Sequence, residues 1–311
     1  MPLATAVGLV VDRFVAEPPA AVHPVVAFGR VMRHVEVQLW RDARGPGATY
    51  AAAGTALGAA AGWLAGTTAG ATTVAAGGGA LARAATAVGD AIDRGDLDEA
   101  RALLPALVGR DPEGLDEKEI VRAVVESVAE NTVDAVVAPA VWAAAAGAPG
   151  ALGYRAVNTL DALVGHRTPR YVRFGWASAR LDDAAGWVPA RVTATLVAAV
   201  RPRSAAAVSQ AVRRDAPRHP SPNAGVAEAA FAAALGLRLG GANQYEGRVE
   251  LRPSLGTGRP PEAADVARAV RLSSDVAWAL TGALAALALL GGKGDPEGRP
   301  FLTQCARRRG R

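Results

Sequence analysis

The sequence predicts an all-α, multi-spanning helical membrane protein with polar helical loops on the cytoplasmic side. Half of the 311 residues are hydrophobic, and the apolar residues concentrate in segments near 50–82, 135–154, 188–200 and 276–292. Strand patterning is confined to one short stretch. We interpret the whole chain, 1–311, as a single membrane domain.

The first apolar segment is the strongest candidate span. Residues 45–82 contain no charged side chain, and a helix needs about 20 apolar residues to cross a hydrocarbon core. The segment is therefore long enough for one long span, or for two short spans joined near residues 77–79.

The other apolar segments leave alternatives open. Residues 135–154 and 276–292 are rich in Ala and Gly, which fits either a short span packed on other helices or a buried helix of a soluble bundle. Residues 188–200 contain Arg191, so this segment spans only if that charge reaches an interface.

The polar blocks between these segments carry their own structural signals. Asp96 precedes an Ala/Leu-rich stretch and Asp111 precedes a proline, and both positions are typical of a helix start. Residues 248–255 alternate polar and apolar side chains after Gly247, which predicts one hairpin or an extended loop.

The charge balance restricts the partners. The formal net charge is +5, and Lys118 and Lys293 are the only lysines among 34 basic residues. An excess of arginine suits anionic lipid or phosphorylated small molecules. The arginines are scattered, without a basic stripe studded with aromatic residues, so nucleic acid is not an expected partner.

The C-terminal tail carries two further signals. Its one cysteine, Cys305, is the only cysteine of the sequence, so catalysis relies on other groups and no intrachain disulfide forms. Residues 307–311 are rich in arginine and follow the last apolar segment closely. By the positive-inside rule, they predict a cytoplasmic C-terminus.

An acidic stripe is the first candidate site. Residues 121–138 read VRAVVESVAENTVDAVVA, and at about 100° per residue Glu126, Glu130 and Asp134 share one helix face. Mg²⁺ prefers one or two carboxylates together with substrate phosphates. The stripe therefore predicts a magnesium site, and a solvated helix face is the alternative.

A second polar helix follows. Arg155, Asn158 and Asp161 recur every three residues and lie on one side of a helix. Arginine can bind a phosphate in bidentate fashion, whereas asparagine and aspartate can complete a magnesium shell. The alternative is a network of caps and salt bridges.

An adjacent carboxylate pair, Asp182 and Asp183, lies beside Arg180. The two carboxylates would repel each other unless Arg180 or another cation compensates them. Because neighbouring residues on a helix do not share a face, the pair alone is a weak indication of metal.

Residues 219–223 form a stiff His-Pro-Ser-Pro-Asn turn before a helical pattern. Asn223 is the predicted N-cap. The free N–H groups of that helix would suit a phosphate, and His219 could act there as acid or base. No P-loop motif is present in the sequence.

Taken together, these segments resemble the adenosylcobinamide-phosphate synthase family of cobalamin biosynthesis, the CbiB/CobD family. The resemblance covers most of the chain, and the region 50–82 and the basic tail match least. It rests on Asp12, His23-Pro24-Val25 and Gly29, on VESVAENTVDAVVAP at 125–139, AVNTLDALVGHR at 156–167, FGWASARLDDAAGWVPAR at 174–191 and HPSPNAG at 219–225.

The resemblance implies an ATP-consuming ligase in the cell membrane. Its substrates would be adenosylcobyric acid and (R)-1-aminopropan-2-ol phosphate, or free aminopropanol, and its product adenosylcobinamide phosphate. The partners are then these small molecules and membrane lipid. Association with other enzymes of cobalamin assembly stays open.

Residue chemistry suggests roles for the candidate residues within this reaction. We expect a magnesium site, phosphate-binding groups and a base for the incoming ammonium. The metal ligands are Glu126, Glu130, Asn131, Asp134 and Asp161; Arg155, Arg180, Asn158 and Asn223 bind substrate or phosphate; His219, Asp182 and Asp183 are catalytic.

Two other functions remain open from the residues. A Mg²⁺-dependent membrane prenyl or phosphoryl transferase would use a similar spacing of Asn158 and Asp161 on a helix. A corrinoid transporter would line its path with acids inside the membrane, whereas the acids here flank the apolar segments.

Overall fold

A computed structural model describes residues 1–16, 18, 19, 21–109, 111–245 and 248–291. Within these ranges the chain forms twelve α-helices and one β-hairpin. The helices are α1 (Pro2–Phe14), α2 (Pro24–Leu39), α3 (Arg44–Ala65), α4 (Thr68–Ala75), α5 (Gly78–Asp93), α6 (Leu97–Leu103), α7 (Glu117–Thr132), α8 (Ala138–Val164), α9 (Trp176–Val200), α10 (Ala205–Asp215), α11 (Ala224–Leu235) and α12 (Ala264–Gly291). The strands are β1 (Leu239–Tyr245) and β2 (Arg248–Leu255).

The first apolar segment is divided into three helices. The predicted break near 77–79 is confirmed, because α4 ends at Ala75 and α5 begins at Gly78. A second break follows α3, where Gly66 adopts a left-handed conformation with φ of 70°. Glycine accepts this conformation without the clash that a Cβ would cause.

Two helical stretches of the described chain are long and apolar enough to cross a membrane: Glu117–Val164 and Ala264–Leu290. The first combines α7, α8 and the turn between them. Helix α3 is not among them, because its many Gly and Thr residues reduce its hydropathy. The two stretches contain the predicted segment 135–154 and most of 276–292, whereas the segments 50–82 and 188–200 are not among them. The basic tail and Cys305 lie outside the described residues.

Helices α3 and α8 pack antiparallel through a seam of small residues. A Cβ atom at Gly54 would lie 2.8 Å from Leu160 Cδ1, one at Gly58 would overlap Ala156, and one at Gly62 would overlap the carbonyl of Ala148. Small residues at such a contact let two helix backbones approach closely. The seam fixes the part of α8 that carries the polar residues.

Helix α8 bends sharply in its first half. Gly147 has non-helical angles, with φ of 66°, and Pro149 follows within the helix. Proline removes a backbone donor and collides with the preceding turn, which bends a helix. The polar residues of α8 all lie after the bend.

Helix α7 is the central buried helix. Its residues Ile120, Val121, Val124 and Val125 are fully buried, and it packs against α5, α11 and α12. The helix begins with a capping box between Asp116 and Glu119. The expected helix start at Asp111 is therefore wrong, because the stronger capping pair lies a few residues later.

The predicted hairpin is confirmed. Strands β1 and β2 pair antiparallel, with an irregular register between Leu239 and Gly241. The hairpin is attached to α7 at Gly240, whose N–H donates to Glu126 Oε1 over 2.9 Å. The Gly240 carbonyl accepts from Arg122 Nη1 over 2.8 Å.

Candidate functional site

Three helical segments bring an amide and two carboxylates together. Asn158 Nδ2 lies 3.2 Å from Asp134 Oδ2 and 3.4 Å from Asp182 Oδ1. The hydroxyl of Tyr154, one turn before Asn158, lies 3.4 Å from Asp134 Oδ1. Asn158 thus bridges two acids from the segments on either side of α8.

A widened turn carries Asp134. Residues Val133–Val137 form a π-helical turn between α7 and α8, and such turns are frequent at functional sites. Tyr154 and Asn158 are four residues apart on α8 and so share a face. Both side chains therefore extend from α8 to Asp134 in the π-helical turn.

The electrostatics of Asp182 follow from its surroundings. Burial raises the pKa of the Asp182 carboxyl well above its usual range, and the charges of Asp134 and Asp161 raise it further. Asn158 opposes these effects by donating to the carboxylate. The site therefore favours a proton or a cation next to Asp182.

A cleft of about 730 Å³ opens beside this cluster. Four arginines face a single carboxylate there, that of Asp183. The lining groups that carry charge, imidazole or an aromatic ring are Arg44, His166, Arg167, Tyr171, Trp176, Arg180, Asp183, Arg191 and His219. A concave site with excess positive charge attracts anions.

Two of these arginines stack on tryptophans. The guanidinium of Arg44 lies 5.0 Å from the ring centroid of Trp176, and that of Arg191 lies 4.3 Å from the ring centroid of Trp187. Arg191 also donates to the Pro222 carbonyl over 3.1 Å. These contacts hold guanidinium groups in place without neutralising their charge.

The predicted acidic stripe does not form one site. Glu126 is buried beneath the hairpin, with Arg122 Nε 4.0 Å from its carboxylate. Glu130 is exposed, and Asn131 donates to the Ser127 carbonyl over 3.0 Å. The stripe divides between the hairpin, the surface and the Asn158 cluster that receives Asp134, and the magnesium-ligand role of these residues stays a prediction.

The second polar face is largely confirmed in its geometry. Arg155 Nη1 lies 3.5 Å from Asn158 Oδ1. Asp161 is half-buried and lies one turn further along α8. Its carboxylate lies against Gly165, a residue of the cleft, so closely that a Cβ atom there would overlap it. Arg155 and Asp161 therefore flank Asn158, as the three-residue spacing predicts.

The adjacent acids on α9 point to different surroundings, as their spacing predicts. Asp182 joins the Asn158 cluster, whereas Asp183 lines the cleft. Asp183 Oδ2 lies 3.6 Å from Arg180 Nη1. Burial raises the pKa of Asp183, and the charges of Arg180 and Arg167 oppose that rise.

His219 lies in the cleft wall, with both ring nitrogens near polar atoms. Nδ1 is 3.1 Å from the Ser221 carbonyl. Nε2 is 3.2 Å from Arg252 Nη1 and 3.7 Å from Glu228 Oε1. Since a guanidinium only donates, its contact requires an unprotonated Nε2, and the role of His219 as base stays a prediction.

Asn223 occupies the N-cap position of α11 but does not cap it. The Ser221 hydroxyl accepts from the Ala224 N–H instead, over 3.1 Å. The Asn223 amide donates to the Asp183 carbonyl over 2.9 Å. The predicted cap is wrong, and Asn223 instead connects the turn at His219 to the part of α9 that carries Asp183.

The residue chemistry of the sequence did not indicate several residues that line the cleft or contact the Asn158 cluster. Arg167 and Trp176 lie in the motifs quoted above, so those motifs held a signal that residue chemistry alone did not select. Tyr154 adjoins Arg155, which was selected. Arg44 has no local signal, because the packing of α3 on α8 brings it to the cleft.

The comparison with protein families decides the family. The family model described as CobD/Cbib protein matches residues 5–273 of the chain. The chain belongs to the CobD/CbiB family.

Curated relatives of this CobD/CbiB chain are named "Cobalamin biosynthesis protein CobD". The relative from Mycobacterium tuberculosis (strain H37Rv) is 49% identical over 280 residues, covering 86% of this chain and 89% of the relative. The relative from Geobacter metallireducens is 41% identical over 268 residues, covering 80% of this chain and 84% of the relative. The relative from Chromobacterium violaceum is 39% identical over 303 residues, covering 92% and 96%. No solved structure matches the chain.

The donor set of this CobD/CbiB chain bears on whether it can hold Mg²⁺. Within the described ranges, no group of three or more His, Cys, Asp or Glu side chains is arranged around a metal position. Asp134 and Asp182 nevertheless supply two carboxylates around one amide, and Mg²⁺ needs only one or two when substrate phosphates complete its shell. The residues therefore fit a magnesium ion that arrives with a phosphate-bearing substrate.

Proposed function

We propose that the protein joins adenosylcobyric acid to (R)-1-aminopropan-2-ol phosphate, or to free aminopropanol, through an amide bond formed at the expense of ATP. Membership of the CobD/CbiB family supports this function. The observation that carries it is the Asn158 cluster beside the arginine-lined cleft, since this reaction needs both a magnesium-binding acid pair and a phosphate site.

The reaction requires an activated carboxyl group, because a carboxylate is a poor acyl donor to an amine. Attack of the substrate carboxylate oxygen on the γ-phosphorus of ATP forms an acyl phosphate and releases ADP. The amine nitrogen then attacks the acyl carbon, expels phosphate and forms the amide. The ammonium must first lose a proton, which a base in the cleft accepts.

Different residues of the site would serve metal binding, phosphate binding and proton transfer. Asp134 and Asp182 would hold Mg²⁺, which neutralises phosphate charge when it is bound. Arg44, Arg167 and Arg180 would bind phosphate oxygens from the cleft wall. Asp183 and His219 line the same cleft, which supports the proposal that one of them accepts the proton of the amine.

Purified protein in detergent, given adenosylcobyric acid, aminopropanol phosphate and Mg-ATP, tests the function directly. We expect a product with the mass of adenosylcobinamide phosphate, formed together with ADP and phosphate. Transfer of the prenyl or phosphoryl group from an added polyprenyl diphosphate, without amide formation, would support the transferase instead. Corrinoid uptake into vesicles without product would support a transporter.

A cleft arginine offers a sharper test of the phosphate site. The Arg167 guanidinium makes no hydrogen bond or ion pair in the described part of the chain, and it lines the cleft. Arg167→Gln should raise the KM for ATP or for aminopropanol phosphate, with kcat changed less. Arg213→Gln removes an exposed arginine outside the cleft, so an equal effect there would contradict the assignment.

We also propose a multi-pass location in the cell membrane with a cytoplasmic C-terminus. The two apolar helical stretches support insertion, and the basic tail supports the orientation. Recovery of the protein in a high-speed supernatant without detergent would refute insertion. A C-terminal reporter active only outside the cytoplasm would refute the orientation.

A further inference from the structure

The two faces of helix α2 differ in character: one is apolar and packed inward, and the other is exposed and basic. Its inward face carries Met32, with Phe28, Val35 and Leu39 packed in the same apolar cluster. Its outward face carries Arg30 and Arg33, and the exposed Arg41 follows just beyond the end of the helix. These three arginines are called the α2 basic stripe here. Arg30 and Arg33 are three residues apart and therefore lie on one side of the helix.

The acids near the stripe are engaged with other arginines: Asp42, next to Arg41, pairs with Arg173. Glu36, the acid of α2, is buried and accepts from Arg170 over 3.0 Å and from Tyr171 over 2.9 Å. In the described residues, neither Arg30 nor Arg33 makes a side-chain hydrogen bond or ion pair. The outward face therefore retains its positive charge.

Apolar side chains are interleaved with these arginines. Val26 is 36% exposed, Val31 is 49% exposed and Val37 is 76% exposed. A mixture of valines and arginines on one surface suits an interfacial helix, which places apolar groups towards acyl chains and cations at the phosphates. The neighbouring helix α3 has no charge after Arg44, so the stripe borders an apolar part of the molecule.

Other aromatic and basic groups extend the surface. Arg170 lies 4.8 Å from the ring centroid of Trp40, just after α2. Arg173 lies 3.6 Å from Asp42. Tryptophan and arginine side chains together are typical of the membrane–water interface, at the depth of the lipid headgroups.

We propose that the α2 basic stripe binds the headgroups of anionic phospholipids at the membrane surface. This interaction is separate from the amide-forming chemistry, since none of the three arginines lines the cleft. Each arginine near an anionic membrane contributes attraction of about fivefold in binding. A neutral lipid supplies the phosphate but not the net charge, so it should not replace the anionic one.

The test uses the full protein in neutral detergent micelles doped with phosphatidylglycerol or with phosphatidylcholine. We expect phosphatidylglycerol to raise the Tm by about 2–4 °C, with little effect of phosphatidylcholine. The rise should disappear in Arg30→Gln/Arg33→Gln/Arg41→Gln. It should persist when the same positions carry lysine, because headgroup attraction depends on charge, and it should weaken in 0.5 M salt through screening.

A charge-matched variant separates the stripe from overall charge. Lys118→Gln/Arg203→Gln/Arg213→Gln removes three exposed cations elsewhere and should keep the phosphatidylglycerol effect. Equal loss in this variant, equal stabilisation by both lipids, or persistence of the effect in the glutamine stripe variant would each overturn the proposal. A stripe covered by a protein partner instead would give no lipid effect, which also overturns it.

Discussion

Asn158 donates to Asp134 over 3.2 Å from a position 24 residues further along the chain. The same Nδ2 lies within 3.4 Å of Asp182, so one amide compensates two buried acids. Four predictions follow from this cluster and from the packing that supports it.

The first prediction concerns the amide itself. Asn158→Leu keeps a similar volume but removes both donor hydrogens, so Asp134 and Asp182 lose a partner. We expect the free energy of unfolding to fall by about 1–3 kcal/mol, with amide formation abolished. Thermal denaturation and the product assay measure the two effects. Thr159→Val is the control on the same turn, because its hydroxyl only donates to the Arg155 carbonyl; an equal loss of activity there would contradict a specific role for Asn158.

The second prediction separates the acids of the stripe by their magnesium dependence. Asp134→Asn should move the midpoint of a Mg²⁺ titration of amide formation to higher concentration, with partial rescue at high Mg²⁺, because it removes a ligand charge. Glu126→Gln should leave the midpoint unchanged, since Glu126 accepts from Gly240 instead. Superimposable curves for wild type and Asp134→Asn would remove the metal site from this cluster.

The third prediction concerns pH. The folded-state pKa of Asp182 is raised, so the folded state binds its proton more tightly than the unfolded chain does. Ionised Asp182 therefore costs stability, and this cost is absent below the unfolded pKa of about 3.9 and grows as pH rises through the folded pKa.

Asp182→Asn should consequently stabilise the metal-free protein at neutral pH, and this gain should shrink towards pH 4. The measurement is the difference in Tm between variant and wild type from pH 4 to pH 8, with chelator present. Asp98→Asn, at a carboxylate that is 96% exposed, should show no such pH dependence. A constant difference for Asp182→Asn would contradict the raised pKa.

The fourth prediction tests the seam between α3 and α8. Gly58→Val places a branched side chain against Ala156 and the Leu152 carbonyl, and we expect destabilisation of about 1–3 kcal/mol from overpacking. Gly153→Ala is the matched control, because its Cβ would lie 3.6 Å from Ala59 Cβ, an ordinary contact. Comparable Tm values for the two variants would show that the seam tolerates larger residues.

Local pattern predicted the helices and the hairpin because their signals lie within single segments. The spacing of Arg155, Asn158 and Asp161 likewise placed one face of α8 correctly. The meeting of Asp134 with Asp182 was not predictable in this way, since it depends on the π turn and on the packing of α9 against α8. The cap of α11 shows a local competition, in which the hydroxyl of Ser221 displaced Asn223.

The glycine seam also has a consequence for how the chain is made. Helix α3 ends at Ala65, and the α8 residues that cover Gly54, Gly58 and Gly62 begin only at Ala148, although Met32 of α2 already lies against Gly54. At a synthesis rate of about 5–20 residues per second, this surface waits several seconds for its partner while the ribosome completes the intervening helices. The pairing of α3 with α8 is therefore a late event in biogenesis, and variants of the seam should lower the yield of assembled protein as well as its Tm.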